Sequence, residues 1–388
     1  MNFRDLALVL LLGLTACRDA TAPFRIDDRG IPEAAAIVQL TFSPKHDHAP
    51  AWSRNGDSVY YSAHGFDVFG TRPGVLLSVP RGGGMAQRLF DRLQAGLFVP
   101  WIAAPVVSPA GDRIAFVFLT QVLALGVTCP PPSNTLSCAP AEPPESEPVL
   151  VKGRVTVRRF DATGPLAGDL SLDIDYDGRD FDSSRNPFGL PGVELFRAHP
   201  FQQVFTVDTL FAPRVSWAPD GTRLVLSDGL RLLIWNVGDA AAAPVPGTDD
   251  GAWPAWSPDG EWIAFTRYTR SGSSRIFCTC SGPFGITGAQ ERTLWSITGA
   301  VLTLVRPTTG ELLELGEGEA PAWAPDGAWL YVRRGGQIWR LAADGSTAER
   351  VPNTDRGHEP AVSPDGGRLA FTRAAENGRF DVWVVALD

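Results

Sequence analysis

Three histidines and a run of aspartates are the residues best suited to chemistry in this 388-residue chain. His48 and His358 each stand two residues before a proline, in His48-Ala49-Pro50-Ala51-Trp52 and His358-Glu359-Pro360-Ala361-Val362, with His46 close by. Neutral imidazoles brought together are a common start for a metal site. Spacing fixes no acidic third ligand, so solvated loop histidines are the alternative. Asp173, Asp175 and Asp177, followed by Gly178, match the first half of a calcium loop, with carboxylates at positions 1, 3 and 5 and glycine at 6. Position 12 is Ser184 instead of glutamate. Leu172, Ile174 and Tyr176 alternate with the aspartates, so a strand with one acidic face competes with the calcium loop.

The cysteines point to an exported chain. Met1 to Asp5 carry one arginine, and Leu6 to Leu14 form an apolar run of nine. A bilayer span needs about 20 residues, so this run fits a signal-peptide core instead. It ends in Leu14-Thr15-Ala16-Cys17, which looks like a bacterial lipobox. Residues 1–17 are therefore expected to be a lipoprotein signal peptide with Cys17 lipidated, and residues 18–36 a polar tether. The alternative is an ordinary signal peptide followed by a chance cysteine. Arg18 stands where an aspartate would favour retention at the inner membrane. The expected address is the outer membrane, facing the periplasm or the cell surface. Cys129 and Cys138 flank a proline-rich loop and are expected to pair as a disulfide. Cys278 and Cys280 share one strand face, where a bond would be strained. No later segment offers 18 uninterrupted apolar residues.

The formal net charge is −9, from 34 Lys and Arg against 43 Asp and Glu, which argues against a nucleic-acid partner. Apolar residues make up 44% and charged residues 20%, enough to build a core. With 40 Gly, 33 Pro and 12 Trp, short strands are favoured over long helices.

One pattern recurs six times, at Trp52, Val107, Trp217, Trp256, Trp323 and Val362. Its fullest form is Pro254-Ala255-Trp256-Ser257-Pro258-Asp259-Gly260-Glu261-Trp262-Ile263-Ala264-Phe265. A strand ends at the Trp, Asp-Gly makes a turn, and a second apolar strand follows. Third and fourth strands are legible at Gln337 to Leu341 and Leu312 to Leu315. Four strands repeated radially make a propeller blade. The two tightest intervals, 217 to 256 and 323 to 362, are both 39 residues, and a blade takes about 40–45. The expected fold is therefore all-β, a six-bladed propeller of four-stranded antiparallel blades over residues 37–388. Ile37 to Phe42 precedes the first hairpin and should add to the last blade near Asp381 to Ala386, closing the ring. Longer intervals place insertions at about 120–199 in blade 2 and about 272–298 in blade 4. The first part of the blade 2 span, around Pro130-Pro131-Pro132, is expected to be an irregular exposed loop, with Val155 to Phe160 as a candidate displaced third strand of that blade. The Gly- and Ser-rich blade 4 span is expected to be a loop. Such loops carry partner specificity or are loop growth with no role.

These Trp-Ser-Pro-Asp-Gly hairpins resemble the repeats of TolB-type propellers, over about Ile37 to Asp388. The resemblance implies a fold more firmly than a function. It departs from that family in two respects: the short tether stands where those proteins carry an α/β domain, and lipidation is expected here. Ligands of such propellers gather at the channel mouth where loops enter the innermost strands. That would put His46, His48 and His358 at a binding mouth between blades 1 and 6. Some sugar-cleaving lyases resemble this propeller and carry a metal there.

No Gly-x-Ser-x-Gly elbow or phosphate-cradling glycine loop is present, and Gly82-Gly83-Gly84 reads as a turn. The expectation is a monomeric, membrane-tethered, non-enzymatic propeller that binds an envelope protein, peptide or glycan. The alternative is a metal-assisted, lyase-like carbohydrate enzyme. Calcium is the one cofactor suggested by a motif.

Overall fold

Each twelve-residue repeat folds as a tight β-hairpin in the computed structural model. The structure describes residues 37–42, 46–67, 70–90, 101–124, 149–162, 169–176, 196–199, 202–204, 214–280, 286–374 and 380–387. Strand β1 (Val38–Gln39) comes first. Blade 1 comprises β2 (His46–Trp52), β3 (Ser58–Asp67), β4 (Gly70–Pro80) and β5 (Gln87–Arg88). Blade 2 comprises β6 (Trp101–Val107), β7 (Arg113–Ala124), β8 (Val149–Arg159) and β9 (Leu170–Tyr176). A small hairpin, β10 (Phe196–His199) and β11 (Gln202–Val204), follows it. Blade 3 comprises β12 (Val215–Trp217), β13 (Arg223–Ser227), β14 (Leu232–Asn236) and β15 (Ala243–Pro244). Blade 4 comprises β16 (Gly251–Trp256), β17 (Ile263–Cys280), β18 (Ile286–Val305) and β19 (Leu312–Glu317). Blade 5 comprises β20 (Glu319–Trp323), β21 (Trp329–Arg334), β22 (Gln337–Ala342) and β23 (Ala348–Arg350). Blade 6 takes β24 (Gly357–Val362), β25 (Arg368–Ala374) and β26 (Phe380–Ala386) from the end of the chain and β1 as its fourth strand. The six innermost strands, β2, β6, β12, β16, β20 and β24, touch in ring order. The expected all-β six-bladed propeller is therefore the fold.

Closure follows the expected pairing of the first strand with the last. Val38 pairs with Val384 and Gln39 with Trp383, and the Leu40 N–H donates to the Val382 carbonyl at 2.8 Å. Leu40 then lies in an apolar layer with Trp52, Val59 and Tyr61 of blade 1 and Ala370 and Val382 of blade 6. Comparable layers lie between the other neighbouring blades, so each of the six blades packs against a neighbour on both faces.

The repeat residues explain themselves in the turns. Gly56, Gly111, Gly221, Gly260, Gly327 and Gly366 all take φ between 68° and 79°, a conformation natural only to glycine. In blade 4, the Ser257 hydroxyl donates to Asp259 at 2.6 Å and accepts the Trp262 N–H at 2.9 Å. Each turn also seals against the previous blade. A Cβ added at Gly260 would stand 3.1 Å from Pro219, and one at Gly366 would stand 3.8 Å from Pro325. Tryptophans tie blades together: Trp52, Trp217 and Trp323 donate their indole N–H to Ala361, Val106 and Ala255 carbonyls of the preceding blade.

Two insertions differ from expectation. The span 120–199 is not one insertion: the third strand expected at Val155 to Phe160 falls in β8, and β8 and β9 are blade 2's own third and fourth strands. Val155, Val157, Leu172 and Ile174 are buried and pull both strands into the core between blades 2 and 3. The span 272–298 is not an irregular loop. Beyond the last pair with β16, Gly251 with Arg267, β17 and β18 continue as a two-stranded ladder up to Cys280 opposite Ile286. Glycine and serine suggest a loop, yet backbone pairing across the two strands overrides their weak strand preference.

Candidate functional site

The channel down the propeller axis is shaped by one repeated irregularity. Five innermost strands carry a register shift just before or across the repeat's first proline. At that shift Ala49, Ala104, Trp253, Ala320 and Glu359 take φ of 50–54°. Each immediately precedes a proline, whose missing N–H makes a bulge tolerable at that point. A left-handed non-glycine residue costs about 1–2 kcal/mol, so five such residues mark a conformation imposed by the ring. The corresponding position in blade 3 is Arg214, ahead of Val215.

Three of these positions depart from alanine, and their side chains close the channel. Arg214 of blade 3 donates to Glu359 Oε1 of blade 6, a blade three steps away around the ring. Glu359 Oε2 accepts the Ala49 N–H of blade 1 at 2.8 Å and the Thr372 hydroxyl at 3.2 Å. His48 Nδ1 lies 3.6 Å from the same oxygen. The Arg214 guanidinium stacks over Trp253 of blade 4, 4.3 Å from the ring centre. Burial alone would push the Glu359 carboxyl up. Arg214, His48 and the Ala49 N–H together outweigh it and hold the group well below the usual carboxylate range.

On the side of this bridge facing the Asp-Gly turns lies a cavity of about 530 Å³. One level of its wall holds Pro50, Pro105, Pro254, Pro321 and Pro360, and the next holds Trp52, Trp217, Trp256 and Trp323. Arg54 lines it near the turns, where the other five repeats supply Pro109, Pro219, Pro258, Pro325 and Pro364 to the same wall.

The histidines lie on the other side of the bridge and are not part of that wall. His48 and His358 are buried within β2 and β24, in place of the solvated loops that sequence alone allows. They do come together, around Phe380: ring centres lie 5.1 Å from His48, 5.5 Å from His358 and 6.1 Å from His46. Burial, then the nearby Arg333, push the His358 imidazole down to about 3. Arg333 is itself buried and bonded to Glu319, whose carboxyl is raised by burial. No three His, Cys, Asp or Glu among the described residues are grouped to hold a metal.

The acidic segment is a strand as far as Tyr176. Leu172 and Ile174 point into the core, and Asp173 is exposed and ion-paired with Arg154 at 2.5 Å. In the β8–β9 ladder Arg154 stands opposite Asp173 and Lys152 opposite Asp175. Asp177, Cys17, Cys129 and Cys138 lie outside the described residues. Cys278 and Cys280 sit opposite Ala289 and Ile286 in the β17–β18 ladder.

The repeats themselves signal the bridge. Aligning the residue three before the Trp or Val of each repeat gives Ala49, Ala104, Arg214, Trp253, Ala320 and Glu359, and the three exceptions build the closure.

The protein is a six-bladed β-propeller whose axial channel is closed midway by side chains. No protein family profile matches the chain. An uncharacterized protein of Agrobacterium fabrum is 29% identical over 221 residues, covering 46% of this chain and 72% of its own length. Among solved structures, the chain is similar to TolB from Acinetobacter baumannii, with TM-score 0.44, 14% identity and 83% of this chain covered. It spans 58% of that protein's length. A TolB assigned to Agrobacterium tumefaciens gives TM-score 0.46 and 11% identity, covering 91% of this chain and 97% of its own. An oligogalacturonate lyase in complex with manganese gives TM-score 0.43 and 13% identity, covering 91% and 93%.

Proposed function

We propose that this protein is a non-enzymatic binding propeller of the bacterial cell envelope, tethered to the outer membrane through a lipidated Cys17. The observation that carries the binding reading is the Arg214–Glu359 bridge. It makes a rigid, one-ended receptacle whose buried charges satisfy each other and are not held ready for acid–base work. A pocket of this size, walled by proline and tryptophan with a charged pair at its floor, suits ligand capture. Cross-linking from envelope fractions followed by pull-down should recover a discrete component. Recovery of nothing beyond an unrelated propeller control would refute the reading. Cys17→Ser should release the protein from membranes, and continued pelleting would refute the tether.

The gathering of His46, His48 and His358 around Phe380 favours a second reading, a metal-assisted lyase-like enzyme acting on carbohydrate. Its test is metal content together with the appearance of unsaturated uronate product from acidic polysaccharide. Turnover abolished by His48→Ala would establish it over the binding reading.

A further inference from the structure

We propose that the turn-side cavity binds an aliphatic monocarboxylate, with Arg54 holding the carboxylate at the mouth and the hydrocarbon chain running in toward the Arg214–Glu359 bridge. This rests on the binding reading above and names the chemistry of the ligand.

Arg54 is the exception in the ring of residues nearest the turns, where the other five repeats place proline. It is exposed, so the cavity meets solvent there. Its stem lies on the turn of blade 2: a Cβ added at Gly111 would stand 2.6 Å from Arg54 Cβ and 2.9 Å from its Cγ. Its guanidinium makes no hydrogen bond or ion pair among the described residues. The neighbouring arginines of the same face are committed. Arg113 donates to the Gly221 carbonyl at 2.8 Å and stacks on Trp217, and Arg223 pairs with Asp220 and stacks on Trp256.

Charge selects the head group. Three charged residues line the cavity, Arg54, Arg214 and Glu359, and the last two satisfy each other at the floor. One positive charge is left, at the mouth. A guanidinium fork matches one carboxylate bidentately. An ammonium would be repelled, and a phosphate monoester would bring a second charge with no partner.

The wall selects the body. Proline has no N–H to offer. The indole N–H groups of Trp52, Trp217, Trp256 and Trp323 are spent on the carbonyls of Ala361, Val106, Gly260 and Ala255. Ser216 Oγ accepts the Trp256 N–H, and Ser257 Oγ is held by Asp259 and Trp262. A sugar would leave several hydroxyls unpaired against this surface, whereas an alkyl chain has none to satisfy. From Ala49 at the bridge to Arg54 at the mouth, at the rise of a strand, the depth is about 15 Å.

The test is calorimetric titration of the full chain carrying Cys17→Ser, which keeps detergent out of the assay, with linear carboxylates from hexanoate to tetradecanoate and with decylamine. Decanoate should bind at one site. Affinity should rise about 3- to 4-fold per methylene and level off once the chain reaches the floor. Arg54→Pro installs the residue of the other five repeats. It should weaken decanoate about 3- to 10-fold and leave decylamine equal or tighter, a change in ratio that mere distortion of the cavity would not give. Ala322→Phe, which narrows the cavity from β20, should abolish decanoate binding. No saturable decanoate binding, an unchanged ratio in Arg54→Pro, or full binding in Ala322→Phe would overturn the proposal. If envelope cross-linking still captures a component in that case, the carboxylate inference falls and the binding reading stands.

Discussion

Arg214 and Glu359 lie 145 residues apart in sequence and meet across the propeller axis. The pair joins blade 3 to blade 6, and through the Ala49 N–H and the Trp253 ring it also engages blades 1 and 4. Removing one member leaves the other charged and buried, which typically costs about 3–5 kcal/mol. Glu359→Gln should therefore lower stability by an amount of that order in denaturant unfolding. The double variant Arg214→Met, Glu359→Leu should recover much of the loss, because a well-packed apolar pair can replace a buried ion pair. A single variant as stable as the parent would mean that the bridge does not form.

Acid should weaken the fold in two steps. His358 is pushed down to about 3 by burial and by Arg333, with His48 acting in the same direction and Glu359 against it. The folded state thus binds fewer protons than the unfolded chain, in which the imidazole titrates at about 6.5. This contribution is fully present above about pH 6.5, declines by at most about 1.4 kcal/mol per pH unit below it, and levels off near pH 3. Glu359, also lowered, adds a second loss that begins below about pH 4.5. Urea midpoints measured from pH 7.5 to 4 should fall with acidification, and His358→Gln should flatten the upper part of that decline.

Two glycine substitutions separate the ring turns from an ordinary loop. Gly260 has φ of 78°, and an added Cβ would stand 3.1 Å from Pro219 of the preceding blade. Gly260→Ala should cost about 1–2 kcal/mol from conformation alone. Gly82 has nothing within 4 Å of an added Cβ and no positive φ, so Gly82→Ala should be neutral or slightly stabilising. Equal effects in thermal unfolding would contradict the sealed-turn account.

The ring was legible in the sequence because its determinants are local. Asp259-Gly260 forces a turn, Ile263-Ala264-Phe265 supplies a buried strand, and six copies fix the number of blades. Closure by Ile37 to Phe42 followed from one strand too few at the end and one too many at the start. The bridge depends on side chains that meet only once the ring is closed, and blade 3 lacks the proline that marks the position elsewhere. The β17–β18 ladder was obscured because Gly272 and Ser273 favour loops, while the pairing that orders them comes from Leu294 and Trp295 on the other strand.

The central claim is that the partner engages the cavity on the turn side of the Arg214–Glu359 bridge. A photo-reactive phenylalanine analogue placed at Arg54, on the cavity wall near the turns, or at His46, beyond the bridge, tests it most directly. The account predicts that an envelope partner is captured from position 54 and not from position 46. Capture from position 46 alone would contradict it and move the site to the histidines.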